Sequence, residues 1–365
     1  MTSERAESMM VLLPQIERNF EGRRAVYLDL KDWIYLARAV RQQSTPPGYP
    51  ELLSAARRAL RSGVALFPLS ATHYMEMSGI SDPAQRRHVA AVMAELSEFR
   101  VLLGRPSIMR MELNAALDRI QGAPSPSDTL ALVGRSIGWA YGQGSSRRMN
   151  CDGGDVAAAF KQQPWYRGML HAFERLMLEG PSDAEDAVLR RTDPDYQPEF
   201  VRRFAEDRAQ QEREQAKRLD AAPMWRRGRL RDVISARELA VEWSDALTEA
   251  LMARGTSLDD LFGSNREAMR AFADGMPSNS VVISIKTAYH RNGQHRWSVN
   301  DIHDIDALAV AVPYCDAVLT DKAARNAIVS TKVDRQAGTF MPRSATDLAD
   351  WLAAGDDLPE RESSA

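Results

Sequence analysis

Cysteine is almost absent from this sequence: Cys151 and Cys315 stand alone among 365 residues. Two lone thiols make neither a zinc ribbon nor a disulfide framework, and a reducing cytoplasm is the compartment expected. Long apolar runs are missing too. None nears the roughly 18–20 residues of a membrane span, so no membrane partner is expected. The opening MTSERAESMM is polar and mixed in charge, without the basic start and apolar stretch of a signal peptide. Positive charge is not in excess. Forty-seven Lys and Arg against 50 Asp and Glu give a net charge of −3, which excludes a globally basic nucleic-acid coat but leaves room for local basic patches. There is no P-loop, no glycine-rich dinucleotide fingerprint after the first strand and no Gly-x-Ser-x-Gly elbow. The 44% hydrophobic and 27% charged content is that of an ordinary globular chain, here long enough for two or three domains.

What is present has an unusual order. Strand-like segments lie near both ends, and the long middle reads as helix. VYLDL at 26–30 is a short run of β-formers, expected as a buried strand, and 31–41 follows with a helical period. A loop at 44–50 leads to a helix over about 50–62 closed by Gly63, then to a second buried strand at 64–69. Ser70 is placed to cap a helix carrying His73, Tyr74 and Glu76. This strand–helix–helix–strand–helix order predicts a parallel α/β sheet.

No strand is expected from about 80 to 275. Helices are expected over 83–103, 107–121, 126–141, 155–178, 197–220, 230–254 and 257–274. The α/β character then returns. A helix is expected after Pro277 over 280–290, and another over 301–312, capped by Asn300 or Asp301 and ended by Pro313 and Tyr314. A third strand at 317–320 precedes Asp321, a fourth short strand is expected at 339–341, and Ser344 caps a closing helix before a loose tail at 355–365.

The acidic residues fall where the strands end. Asp29 closes the first strand, Glu76 rides the helix after the second, Asp321 follows the third, and Asp301 and Asp304 share a face of the helix before it. Open parallel sheets bind ligands outside the carboxyl ends of their strands. Each acid alone has an ordinary explanation, as a helix cap, a turn residue or a solvated side chain. Together, four or five converging carboxylates repel one another unless a cation lies between them. Hard oxygen ligands suit Mg²⁺ or Mn²⁺, and a cation so held activates water for phosphodiester hydrolysis.

Four segments in this order, VYLDL, LFPLSATHYMEM, NDIHDIDALAVAVPYCDAVLTDK and TFMPRSATDLADWL, resemble the PIN-domain nucleases. The resemblance covers under half the chain. It implies a three-layer α/β/α sandwich with a parallel sheet. It also implies that Asp29, Glu76, Asp301 or Asp304, and Asp321 bind Mg²⁺ or Mn²⁺ and position a hydrolytic water. On this reading 20–80 and 277–353 form one PIN-like domain, 81–276 is a large all-α insertion, and 354–365 is a flexible tail.

Other residues offer support roles. Ser70, His73, Thr320 and Lys322 lie beside the acids and can steady the carboxylates or touch a phosphate, or serve as cap, core or solvated residues. The densest basic stretch, 223–231, places Arg226, Arg227, Arg229 and Arg231 beside Trp225, suited to phosphates and a base or to paired surface charges. Tyr289-His-Arg-Asn292 and His295-Arg-Trp297 offer stacking groups for RNA or a structural loop. The run 206–218 reads as a solvated helix face, and 151–155 as a turn rather than a calcium loop. The expected function is a cytoplasmic Mg²⁺- or Mn²⁺-dependent ribonuclease. The alternatives are a catalytically silent or regulated RNA-binding module and a structure-specific DNA nuclease. A homo-oligomer or a regulatory protein partner is compatible with the sequence.

Overall fold

Val26, Tyr27 and Leu28 favour extended backbone and bury both faces, and they set the strand Arg24–Leu28 in the computed structural model of the chain. The structure describes residues 16–20, 22–123, 130–142, 150–151, 154–155 and 163–354. The amino-terminal segment before residue 16 and the tail at 355–365 lie outside them. The described residues are mostly helical, with a small three-stranded parallel sheet. None of their helices is long and apolar enough to cross a membrane. The chain divides into two compact units.

One unit takes Phe20–Gly104, Val133–Phe200 and the residues from Pro342. Its strand Arg24–Leu28 pairs in parallel with Ala65–Leu66, Arg24 opposite Ala65 and Ala25 opposite Leu66. Asp29 has extended backbone and starts the helix Leu30–Val40 one residue earlier than the apolar run suggests. That helix buries Leu30, Trp33, Leu36 and Ala37 along one stripe. The helix Tyr49–Arg61 begins after Gly48, whose φ of +90° is left-handed. A Cβ there would meet Oγ1 of Thr346 at 2.3 Å, so only glycine admits the close approach of the closing helix Ala345–Ala353. Gly63 follows Tyr49–Arg61 at φ +71°, and Ser344 accepts from the backbone N–H of Asp347 to cap the closing helix, both as expected.

Strands do occur in the middle of the chain, contrary to the helical pattern read there. The helix Pro83–Ser97 stops because Glu98 and Phe99 take positive φ, 49° and 54°. Arg100–Leu102 then runs extended, antiparallel to Val133–Arg135. The apolar run 101–103 fits either period, and burial between neighbouring segments decides for strand. The expected helix over 126–141 is therefore replaced by two short strands and the helix Ile137–Ala140, with 124–129 outside the described residues. The expected helix over 155–178 begins at Pro164, and 156–162 likewise lie outside. Asn150–Cys151 pairs antiparallel with Gly154–Asp155, and 152–153, where the sequence suggests a turn, lie outside the described residues.

The other unit takes Arg105–Leu132, Val201–Met341 and the residues up to Asn19. Its core gathers Leu113, Leu117, Ile234, Trp243, Phe272 and Ile283. The expected helix over 230–254 divides into Leu230–Val241 and Ser244–Ala253, and that over 257–274 divides at Gly263. Pro277–Arg291 is helical, as expected, and buried on nearly every side. Val299–Tyr314 is capped by Ser298, whose side chain pairs reciprocally with Asp301 in a capping box; Asn300 and Asp301 already lie inside. Pro313 sits in the last turn rather than ending it. The strand Ala317–Leu319 is followed by the helix Lys322–Thr331. At 339–341 a single bridge from Phe340 to Ala317 forms in place of a full strand.

This unit also buries a network of opposed charges. Asp306 accepts two bonds from Arg208, at 2.5 and 2.9 Å, and one from Arg105. Lys286 Nζ donates to Glu238 at 2.6 Å and lies 2.8 Å from Glu212, which also accepts from His290. Arg208, Glu212 and Gln215 are buried on the helix Glu199–Ala221. The run 206–218 is therefore not simply a solvated face. Its helical spacing of charge meets a buried polar partner, which charge patterning cannot distinguish from water.

Candidate metal centre

Asp29 sits where the strand Arg24–Leu28 ends. It occupies the cap position of Leu30–Val40, but its side chain makes no capping hydrogen bond. Its backbone carbonyl starts the helix by accepting from Asp32 and Trp33 at 2.9 and 3.2 Å. Glu76 lies in the last turns of the short helix Ala71–Ser78. Burial pushes the Glu76 carboxyl up to about 8, and the nearby charge of Asp29 adds to the shift. Burial and a neighbouring acid both disfavour the ionised form of a carboxyl group, and such shifts gather at functional sites.

Single carboxylate oxygens of Asp29, Glu76 and Asp304 lie within 4.8 Å of one another. Three acids this close can hold a metal ion, and all three are half-buried. Oxygen donors alone do not say which ion binds. The pair Asp301 and Asp304 separates here. Asp301 accepts at Oδ2 from the Ser298 backbone and hydroxyl, at 2.7 and 2.8 Å, and its Oδ1 lies 3.4 Å from His295. Burial raises the Asp301 carboxyl, but the hydrogen bonds from His295 and Ser298 outweigh it and leave it below the usual range. Asp301 is thus largely occupied by capping its helix, and Asp304 is the member of the pair in the three-acid group.

Asp321 is also outside that group. Its side chain caps Lys322–Thr331 by accepting from the N–H groups of Ala323 and Ala324. Asp301, Asp304 and Asp321 all act electrostatically on Tyr289. Burial raises the Tyr289 hydroxyl far above its ordinary value, and the charges of Asp321, Asp304 and Asp301 raise it further.

The small helix that carries Glu76 is tied to the strand that carries Asp29. His73 is fully buried. Its Nδ1 accepts from the Ser70 N–H at 2.9 Å, and its Nε2 donates to the Leu28 carbonyl at 2.8 Å. Burial lowers the imidazole to about 4, against a small upward pull from the Leu28 carbonyl. The ring is therefore neutral and spends both nitrogens on backbone, which leaves no lone pair for a metal and no N–H for a phosphate. Ser70 joins the same knot, its hydroxyl 2.7 Å from Thr72 and 3.3 Å from Tyr27. Thr320 is buried and Lys322 is exposed at the start of its helix.

Asp32 escaped the sequence reading. It is fully buried, accepts from the Tyr49 hydroxyl at 2.5 Å, and is raised to about 7 by burial. Its spacing from Asp29, three residues along the same helix start, was the available signal.

The aromatic and basic segments are more structural than the sequence suggests. Tyr289, His290 and Trp297 are buried. Tyr289 stacks on His295 with centroids 4.2 Å apart, so these rings are not open to RNA bases. In the stretch 223–231, Arg226 pairs with Asp220 at 2.7 Å, Arg231 bonds Asp274, and Arg229 covers Trp225. Arg227 is exposed. In comparisons with protein-family models, curated proteins and solved structures, nothing matches the chain.

Proposed function

We propose that the chain is a metal-dependent phosphodiester hydrolase of PIN-like type that cuts RNA in the cytoplasm. Asp29, Glu76 and Asp304 hold Mg²⁺ or Mn²⁺, and Asp321 and Asp301 add negative charge at the rim. The approach of three carboxylates within 4.8 Å carries this reading, because unscreened charges at that spacing oppose folding. The bound ion supplies an activated water and neutralises charge developing on the scissile phosphate. Asp29 and Glu76 fix the ligand geometry from the strand end and the short helix. Segments 20–80 and 277–353 supply the catalytic acids. Arg227 is the exposed cation of the 223–231 stretch best placed in sequence to meet RNA phosphates.

The test is a side-by-side cleavage assay with single-stranded RNA, structured RNA and flap DNA, in Mn²⁺, Mg²⁺ and EDTA. Metal-dependent RNA cleavage is expected, lost by at least about 100-fold in Asp29→Asn with the fold intact. Cleavage of flap DNA alone would replace the substrate. Absence of any cleavage with either metal would contradict the reading.

A further inference from the structure

The helix Pro164–Glu179 buries Leu178 and Glu174 and turns a broad apolar stripe outward. Glu174 is 3% exposed, whereas Trp165, Phe173 and Leu176 are 51%, 49% and 55% exposed. Met169, Leu170 and Met177 extend the exposed apolar face. The buried side keeps Glu174 by hydrogen bonds from the Tyr74 hydroxyl at 3.3 Å and the Ile137 N–H at 3.0 Å. A helix ordinarily turns such a stripe inward. The exposed portions of these six side chains come to roughly 500–600 Å², at the upper end of the largest patch on a monomeric protein.

The pattern along the stripe is self-complementary. Residues 165, 168, 169, 172, 173 and 176 share one face, and Gly168 and Ala172 sit among large side chains. The space beside the Gly168 Cα is open, with nothing within 4 Å of a Cβ placed there. Lay a second copy of the helix antiparallel, with the two-fold axis between Leu170 and His171. Gly168 then faces Phe173 of the other copy, Met169 faces Ala172, and Trp165 faces Leu176. Each large residue at the centre meets a small one, as knobs meet holes.

We propose that this face pairs with its counterpart on a second copy of the chain, forming a two-fold symmetric dimer through antiparallel Pro164–Glu179 helices. Two-fold dimers are the commonest soluble assembly, and the patch approaches the ~600 Å² per partner at which stable interfaces begin. This inference is independent of the metal centre.

Sedimentation velocity on the full chain across the micromolar range tests it. The wild type is expected to be a dimer. Met169→Lys and Ala172→Glu, both at exposed positions, are each expected to weaken dimerisation at least tenfold with unchanged circular dichroism. The double variant, M169K with A172E, is expected to recover most of the loss, because the antiparallel register brings each Lys to one Glu on the partner, two such pairs per dimer. A monomeric wild type would overturn the proposal. So would single variants that dimerise as the wild type does, or a double variant no better than the worse single one. Wild type that floats with phospholipid vesicles as a monomer would assign the face to a lipid surface and likewise overturn it.

Discussion

Nε2 of His73 donates to the carbonyl of Leu28 at 2.8 Å. Leu28 is the last residue before Asp29, and the other nitrogen of the same ring holds the N–H of Ser70 at the start of the Glu76 helix. One neutral imidazole thus fixes the spacing of two acids without touching a ligand. His73→Ala leaves the Leu28 carbonyl and the Ser70 N–H unpaired in a buried place and opens a cavity. A loss of about 2–4 kcal/mol is expected in urea unfolding. Mn²⁺ affinity should fall as well, whereas a purely structural role would leave metal binding in the folded fraction unchanged.

The same imidazole predicts a pH dependence. Its folded value, about 4, lies below the ordinary 6.5, so the unfolded chain binds the extra proton. Its contribution is therefore fully present above pH 6.5 and is lost as pH falls toward 4, by about 3 kcal/mol over that window. The thermal midpoint of the wild type should fall more steeply between pH 6.5 and 4 than that of His73→Gln.

Glu76 has the opposite sign. Its folded value of about 8 lies above the ordinary 4.5. Stability of the metal-free protein from this group is present below pH 4.5 and is lost as pH rises through 8. Glu76→Gln is expected to stabilise the metal-free protein at pH 8 by roughly 1–3 kcal/mol, and to abolish the further stabilisation by Mn²⁺. Thermal melts at pH 5 and pH 8, with and without Mn²⁺, check both parts.

Asp304 and Asp306 lie two residues apart and should fail in different ways. Asp306 neutralises Arg105 and Arg208 in a buried network. Its replacement by Ala takes the carboxylate from between Arg105 and Arg208, leaving Arg208 its weaker pairing with Glu242 at 3.2 Å, and is expected to cost about 3–5 kcal/mol of stability. Asp304→Asn should leave metal-free stability equal or higher and remove metal binding. Urea unfolding and metal titration on the two variants separate the roles.

Much of the site was legible because a strand end and a helix start are local features. The run VYLDL set the strand that leads to Asp29, and Ser70 marked the helix of Glu76. The choice between Asp301 and Asp304 was not legible, because it turns on Ser298 taking Asp301 for its capping box, and Ser298 had not been read as the cap. The strand Arg100–Leu102 was missed because a three-residue apolar run after a helix fits either period. Buried charge was missed for a similar reason. Arg208 and Glu212 sit at ordinary helical spacing, and only their partners Asp306 and Lys286, far along the chain, distinguish a buried network from a wet surface.

The central claim is that Asp29, Glu76 and Asp304 together bind a divalent cation. Calorimetric titration of the chelator-stripped chain with Mn²⁺ at pH 7.5 measures it most directly, on the wild type and on Asp29→Asn, Glu76→Gln and Asp304→Asn. The account predicts binding to the wild type, weakened at least about 10-fold in each of the three variants, with Asp301→Asn retaining most of it. A wild type that takes up no Mn²⁺, or an Asp304→Asn variant that binds as the wild type does, would contradict it.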